Sequence, residues 1–128
     1  TLCGLAGIHP RDALPGTDLS PLIRGDSRRL DRPGVMLEYV LDHRPKAVFH
    51  QCCARGFRTR THKYTVLARD GEQARPWQFF DLRLDPLEQI NLIGAREHQT
   101  DMRQVHDLLR RRLAETEDDF LARMPESL

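Results

Sequence analysis

The stretch FFDLRLDPLEQINLI, residues 79–93, predicts the end of a strand followed by a change of chain direction. Asp85 can accept hydrogen bonds from the first free amides of a helix, and Pro86 suits the next position because its φ is already helical. Glu88 can reach back to the Asp85 amide and complete a capping box. We therefore predict a helix of one or two turns that begins at Asp85 and ends near Asn91, with a structural role.

The residues before this stretch predict a small antiparallel sheet. Several short runs are rich in β-branched, aromatic and other apolar residues, and turn-forming residues separate them. Asp70 and Gly71 are typical of a hairpin turn. Three or four short strands joined in this way form an antiparallel sheet. The predicted extended segments are 35–41, 47–53, 57–61, 64–69 and 77–84.

The residues after this stretch predict one amphipathic helix over 100–120. Apolar positions recur there at intervals of three and four residues, at Met102, Val105, Leu109, Leu113, Thr116 and Phe120. The tail from Met124 is predicted to fray. The predicted fold class is therefore α+β, a small antiparallel β-sheet of three to four strands packed with a C-terminal α-helix.

The first part of the chain predicts a helix end followed by a long connection. Residues 1–8 read as the last turns of a helix that Gly7 and Pro10 stop. Residues 9–34 are rich in Pro, Gly, Asp and Arg, with a helical turn predicted at 20–24. A loop this long suggests a strap lying across something larger. The predicted division is a helix end and strap over 1–34, a sheet over 35–84, and a capped turn and helix over 85–128.

Composition limits the function classes. The 128 residues are 39% hydrophobic and 30% charged, which fits one domain, and the net charge of +1 argues against nucleic-acid binding. No run approaches the ~18 apolar residues of a membrane span. The chain starts at Thr1 inside an apolar stretch without an initiator Met, so we expect it to continue further upstream. Three cysteines argue against a disulfide framework and leave the compartment open between cytoplasm and periplasm.

Four segments together resemble sulfatases of the alkaline-phosphatase superfamily. TLCGLAGI (1–8) is similar to their TLLDLAGI helix end, and LPGTDLSPLIRG (14–25) to the G-x-S-L-x-P-L-L-x-G strap. RGFRTRTHKYTVL (55–67) resembles their R-x-x-R-T-x-x-Y-K-Y-I hairpin, and residues 79–93 resemble L-Y-D-L-x-x-D-P-x-E-x-x-N-L. The resemblance implies the C-terminal subdomain of a sulfatase, a small sheet and helix docked on a large α/β domain.

The resemblance also implies where the chemistry lies. Such sulfatases use a formylglycine made from Cys or Ser in C-x-P-S-R or C-x-A-x-R, and a calcium site built from carboxylates. The nearest match here, Cys52-Cys53-Ala54-Arg55-Gly56, has Gly56 where the pattern needs Arg. The resemblance therefore implies that calcium and formylglycine belong to a missing N-terminal catalytic domain, and that this chain alone is inactive.

A basic hairpin tip is the candidate substrate-binding region. Arg58, Arg60, His62 and Lys63 lie close together in the sequence and could face a sulfate ester. Arginine offers a bidentate fork for such oxyanions, and lysine a point charge. The resemblance also implies the alternative that these side chains are structural and pair with acids.

Other polar clusters carry weaker interpretations. The acidic residues Glu115, Glu117, Asp118 and Asp119 are interpreted as a solvated face. His43, His50, Cys52 and Cys53 lack paired zinc-ligand spacing. His98 and His106 are interpreted as ordinary polar positions.

Three other functions compete with the sulfatase interpretation. The chain could be a fragment of a phosphonate or phosphate monoester hydrolase of the same superfamily. It could instead be a free-standing interaction module that forms a homodimer or a domain-swapped oligomer through its docking face. A nucleic-acid binder relying on residues 110–112 fits the overall charge poorly.

Overall fold

A computed structural model describes residues 1–12, 16–40, 46 and 50–128. The chain forms two compact units, Thr1–Arg32 and Pro33–Leu128. No helix among these described residues is long and apolar enough to cross a membrane.

The first unit contains two short helices, α1 (Leu2–Ala6) and α2 (Ser20–Arg24). Gly7 and Gly25 end them in the left-handed conformation, with φ of 69° and 84°. Both short helices thus lie within the segments predicted to be helical, residues 1–8 and 20–24. A Cβ on Gly4 would lie 2.4 Å from Ser20 Oγ, so glycine is what lets the two helices approach.

The second unit is a four-stranded antiparallel meander in the order β1-β2-β3-β4, which confirms the α+β prediction. Its strands are β1 (Val35–Tyr39), β2 (Cys52–Arg58), β3 (His62–Arg69) and β4 (Arg75–Asp81).

The predicted strand limits are partly wrong. Strand β2 runs through Gly56, which the prediction left between two segments. A Cβ at this position would lie 2.8 Å from the Tyr64 carbonyl oxygen. Glycine thus permits the close β2–β3 approach. Strand β4 ends at Asp81 and not at Leu84, since the Asp85 amide turns back to the Asp81 carbonyl at 2.8 Å. Residues 47–49 of one predicted segment lie outside the described residues.

Helix α3 (Gln99–Glu115) covers one face of this sheet, after a 3₁₀ turn at Arg96–His98. The predicted stripe provides the buried helix residues Met102, Val105, Leu109 and Leu113. They belong to one core with sheet residues that include Phe57, Tyr64, Val66 and Phe79. Burial of this apolar face is the main stabilisation of the unit.

The predicted end of the helix is wrong. Helix α3 stops at Glu115, and Phe120 lies instead on a 3₁₀ turn, Asp119–Arg123. The Asp118 carboxylate starts that turn by accepting a hydrogen bond from the Phe120 amide at 2.9 Å. The tail is not frayed, because Met124 is buried in the core and the Arg123 carbonyl accepts from the Ala74 amide at 2.8 Å.

The predicted helix at Asp85 is also wrong. The residues after Asp85 form a turn, and Asp85 Oδ2 accepts a hydrogen bond from the Ile90 amide at 2.7 Å, five residues on. Glu88 has a φ of 57°, which a right-handed helix excludes at that position. Its carboxylate pairs with distant residues and does not return to Asp85, so tertiary ion pairs outweigh the local capping pattern. Pro86 lies in this turn and not at a helix start.

Candidate functional site

The tip of the β2–β3 hairpin is held by Thr59. Its Oγ1 accepts hydrogen bonds from the amides of Thr61 (3.2 Å) and His62 (2.9 Å), and its own amide donates to the His62 carbonyl at 2.9 Å. This tight turn pairs Arg58 directly with Lys63 across the two strands and leaves Arg60 at the apex.

Glu88 joins Arg58 and Lys63 through an ion-pair cluster. One carboxylate oxygen lies 2.7 Å from Arg58 Nη1, and the other accepts a hydrogen bond from Lys63 Nζ. Lys63 Nζ also lies 5.6 Å from the centre of the Phe80 ring. One carboxylate therefore compensates part of the charge of both cations and fixes their side chains.

His62 lies inside the fold and away from the surface. Its ring stacks on Phe79, with 5.3 Å between ring centres and 16° between planes, and only 8% of the residue is exposed. Nδ1 lies 3.0 Å from Thr61 Oγ1. Nε2 has no hydrogen-bond partner in the part of the chain that the structure describes, although carboxylate oxygens of Asp81 and Asp101 lie 3.9 and 3.8 Å away.

Asp81 and Arg83 form a bidentate pair beside this histidine. Arg83 Nε and Nη2 donate to the two carboxylate oxygens at 3.0 and 2.7 Å, and the Arg83 amide donates to Oδ1 at 2.9 Å. The side-chain hydrogen bonds from Arg83 hold the pKa of the Asp81 carboxyl well below its usual range, even though burial opposes this shift. Asp81 is therefore a permanent anion at neutral pH.

Arg60 differs from the three other residues of the tip. It is exposed, and it forms no hydrogen bond or ion pair among the described residues. Its guanidinium keeps its full set of donors available for an external anion. The four predicted residues thus occupy one hairpin end, with Arg58 and Lys63 bound to Glu88, His62 buried and Arg60 available.

Asn91 fastens the loop after β4 to the strand itself. Its Oδ1 accepts hydrogen bonds from the amides of Phe79 (3.0 Å) and Ile93 (3.2 Å), and its Nδ2 donates to the Trp77 carbonyl at 3.0 Å. Asp85 closes the same loop from the other side through the Ile90 amide. The loop is therefore fixed by side-chain hydrogen bonds instead of by helix formation.

Strand β2 carries two neighbouring cysteines in different surroundings. Cys52 is buried among Ala54, Leu67 and Trp77, and Cys53 Sγ lies 3.2 Å from Arg123 Nη1. Residues 1–12, 16–40, 46 and 50–128 contain no group of three or more His, Cys, Asp or Glu placed to hold a metal ion. His43 lies outside the described residues.

Two buried polar groups correct the sequence interpretations. His106, interpreted as an ordinary polar position, is buried in the core. Its Nδ1 lies 3.2 Å from the Tyr64 hydroxyl and its Nε2 3.1 Å from the Pro125 carbonyl oxygen. Burial lowers the pKa of His106 and raises that of Tyr64. His106 lies four residues after Met102 within the apolar stripe, and this spacing is the sequence signal that could have predicted its burial.

Asp118 does not belong to a solvated acidic face. Arg55 Nε lies 2.8 Å from Asp118 Oδ2, and Arg55 Nη2 lies 3.0 Å from Glu38 Oε1. Burial acts to raise the pKa of Asp118, but the hydrogen bonds from Arg55 and the Phe120 amide outweigh it and lower that pKa. The other acids of the predicted face, Glu115, Glu117 and Asp119, are exposed.

Known proteins provide the comparison for this arrangement. No protein-family model matches the chain. It is 34% identical over 124 residues to an ulvan-active sulfatase from Formosa agariphila, a match covering 96% of this chain and 22% of that protein.

Solved structures of sulfatases contain a segment with a similar fold. A protein assigned as a sulfatase from Bacteroides thetaiotaomicron superposes with a TM-score of 0.77 at 25% identity, over 95% of this chain and 25% of that chain. A 2-O GAG sulfatase gives a TM-score of 0.76 at 24% identity, over the same shares of 95% and 25%. This chain thus spans only 22% to 25% of the length of these relatives. In sequence and in fold, the chain is similar to the C-terminal subdomain of sulfatases.

Proposed function

We propose that this chain acts as the C-terminal subdomain of a sulfuric ester hydrolase, and that it supports a catalytic domain holding the formylglycine and calcium. The observation that carries this proposal is the 34% identity over 96% of the chain to a sulfatase. The short share of the relative that is matched agrees with a supporting part beside a larger catalytic part.

The substrate class of the proposed enzyme is a sulfated carbohydrate. Two of the relatives are named for such polymers, an ulvan-active sulfatase and a 2-O GAG sulfatase. A sulfated sugar presents oxyanions that an exposed guanidinium binds through two parallel hydrogen bonds. The chain would contribute such a group at the rim of the substrate cleft.

Within the hairpin tip, Arg60 is the residue proposed for that contact. Arg58 and Lys63 share one carboxylate, so binding a sulfate through them would have to compete with Glu88. His62 is buried against Phe79 and turns no free donor to the surface. Arg60 has no competing partner in the described chain and needs no rearrangement to bind an anion.

The test uses the full-length protein that contains this chain and a sulfated ulvan oligosaccharide. Arg60→Ala should raise KM about five- to tenfold with kcat nearly unchanged, because the contact binds substrate and does not enter the chemical step. Arg75→Ala is the matched control, because Arg75 is an exposed arginine at the end of β4 that lies away from the hairpin tip. An unchanged KM for Arg60→Ala would refute the substrate contact.

The isolated chain should not hydrolyse an aryl sulfate. Calcium-dependent turnover by the purified 128-residue chain would contradict the supporting role. An aryl phosphate assayed with the full-length protein separates the sulfatase from a phosphate or phosphonate ester hydrolase. Faster turnover of the phosphate would favour that alternative.

A self-associating interaction module is the second candidate function. The chain exposes several large apolar side chains, among them Leu2, Ile8, Ile23 and Leu84. This candidate requires that the isolated chain forms a stable dimer and that the full-length protein does not form a dimer through the same residues. Light scattering of the isolated chain tests the first requirement.

A further inference from the structure

A cavity of about 440 Å³ lies between the first turn of helix α3, the loop before it and residues 125–128. Its apolar lining consists of Pro76 from β4, Ile93 from the loop, Met102 from α3, and Leu128. Small-molecule sites in proteins have volumes of this order and combine an apolar lining with a few polar groups. The cavity is therefore large enough to hold the body of a small organic molecule.

Two arginines supply the charge of this cavity. Arg96 and Arg103 line it, and both are exposed, with no hydrogen bond or ion pair among the described residues. The acids close to them in the sequence, Glu97, Asp101 and Glu126, do not line the cavity. The cavity thus presents uncompensated positive charge beside an apolar surface.

The walls of the cavity are held in place by hydrogen bonds within the chain. The Ile93 amide donates to Asn91 Oδ1 at 3.2 Å, which fixes the loop wall. The carbonyl oxygen of Pro125, another lining residue, accepts a hydrogen bond from Arg110 Nη1 at 2.8 Å and lies 3.1 Å from His106 Nε2. A site that is preformed in this way binds its ligand at a lower cost in conformational entropy.

We propose that this cavity binds an organic oxyanion, in which a sulfate or carboxylate group is joined to an apolar body. Guanidinium groups bind such oxyanions through paired, charge-assisted hydrogen bonds, and neither Arg96 nor Arg103 has to give up a partner to do so. The apolar body leaves water when it packs against Ile93 and Met102. The site goes beyond the proposed function and does not depend on it, because Arg60 is not among the lining residues.

The test titrates the isotope-labelled chain with naphthalenesulfonate and follows its backbone amides by NMR. The amides of the lining residues Gly94 and Gln99 should shift along one binding curve, with a Kd on the order of 1 mM. Naphthoate, which carries a carboxylate on the same apolar body, should bind within about fivefold of this Kd. Inorganic sulfate and naphthol each keep one half of the ligand and should bind at least about tenfold more weakly. Equal binding of either half would overturn the proposal.

A pair of variants tests the two arginines. The double variant Arg96→Gln, Arg103→Gln should bind naphthalenesulfonate at least about tenfold more weakly. Arg111→Gln is the matched control, because Arg111 is an exposed α3 arginine outside the cavity and unpaired among the described residues, and its Kd should stay within about twofold. Both variants should keep the wild-type urea midpoint, since the side chains they change are exposed and unpaired. An equal Kd for the wild type and the double variant would overturn the proposal. Amide shifts confined to the turn around Arg60 would also overturn it and assign the anion to the hairpin tip.

Discussion

Glu88 Oε1 lies 2.7 Å from Arg58 Nη1, although the two residues are thirty positions apart in the chain. The first belongs to the loop after β4 and the second to the end of β2. Lys63 binds the other oxygen of the same carboxylate. The basic hairpin and the Asp-Pro turn therefore form one structural node.

Removing this shared carboxylate should loosen the node. We expect Glu88→Gln to lower the free energy of unfolding by about 1–2 kcal/mol, because two partly buried cations lose their common partner. Urea unfolding followed by circular dichroism measures the change. Glu97→Gln is the control, since Glu97 is exposed and unpaired among the described residues, and its variant should match the wild type. Equal losses for both variants would contradict the role of the node.

Asp81 predicts a loss of stability in acid. Its carboxyl has a lower pKa in the folded chain than the usual 3.8, so the unfolded state binds more protons as pH falls. The contribution is complete above about pH 5 and is lost as pH drops through 3.8 toward the folded pKa. Asp81→Asn should be less stable at pH 7 and show a flatter pH dependence between pH 5 and 3. If the unfolding free energy, measured by urea unfolding, depends on pH in the same way in the variant and the wild type, another group is responsible.

His106 predicts a second loss at milder pH. Burial holds its pKa below 6.5, so the folded chain favours the neutral ring and the unfolded chain takes up a proton first. The free energy of unfolding should therefore fall as pH decreases from about 7.5 through 6.5 toward the folded pKa. His106→Gln should remove this component, whereas His98→Gln should retain it. A wild-type stability that is constant from pH 7.5 to 5.5 would refute the prediction.

The Arg55–Asp118 pair predicts a larger effect of charge removal. Both side chains are mostly buried, and Asp118 also accepts the hydrogen bond that starts the last 3₁₀ turn. Asp118→Asn should cost about 2–3 kcal/mol of unfolding free energy, because Arg55 loses a close partner and the turn loses a charged cap. Thermal or urea unfolding measures this loss. The control is Glu117→Gln, which changes an exposed neighbour and should leave the unfolding free energy unchanged. A loss below about 0.5 kcal/mol would argue against the pair.

The regular parts of the fold follow from local sequence pattern. The stripe from Met102 to Leu113 keeps to intervals of three and four residues, and the structure buries those residues on one helix. Phe120 continues the same spacing but lies on a separate turn, because a periodic pattern does not register that Asp118 can cap a new start. Such boundaries depend on single side-chain hydrogen bonds, which periodicity does not encode.

The candidate site could be predicted only in part. Sequence proximity correctly grouped the four residues of the hairpin tip, since a tight turn keeps neighbours together. It could not separate Arg60 from Arg58 and Lys63, because the acid that engages the latter two comes from another segment. The same distant pairing overrode the helix predicted at Asp85. Local rules fail here because the decisive contacts join residues far apart in the chain.

Asn91 has a consequence for association between molecules. Strand β4 is an edge strand of the sheet, and the outer backbone groups of an edge strand can pair with a strand from another chain. The Phe79 amide is instead taken by Asn91 Oδ1, and the Phe79 carbonyl accepts from the Leu92 amide at 2.8 Å. The folded-back loop thus blocks this border of the sheet against strand addition, and protects it from growth into aggregates.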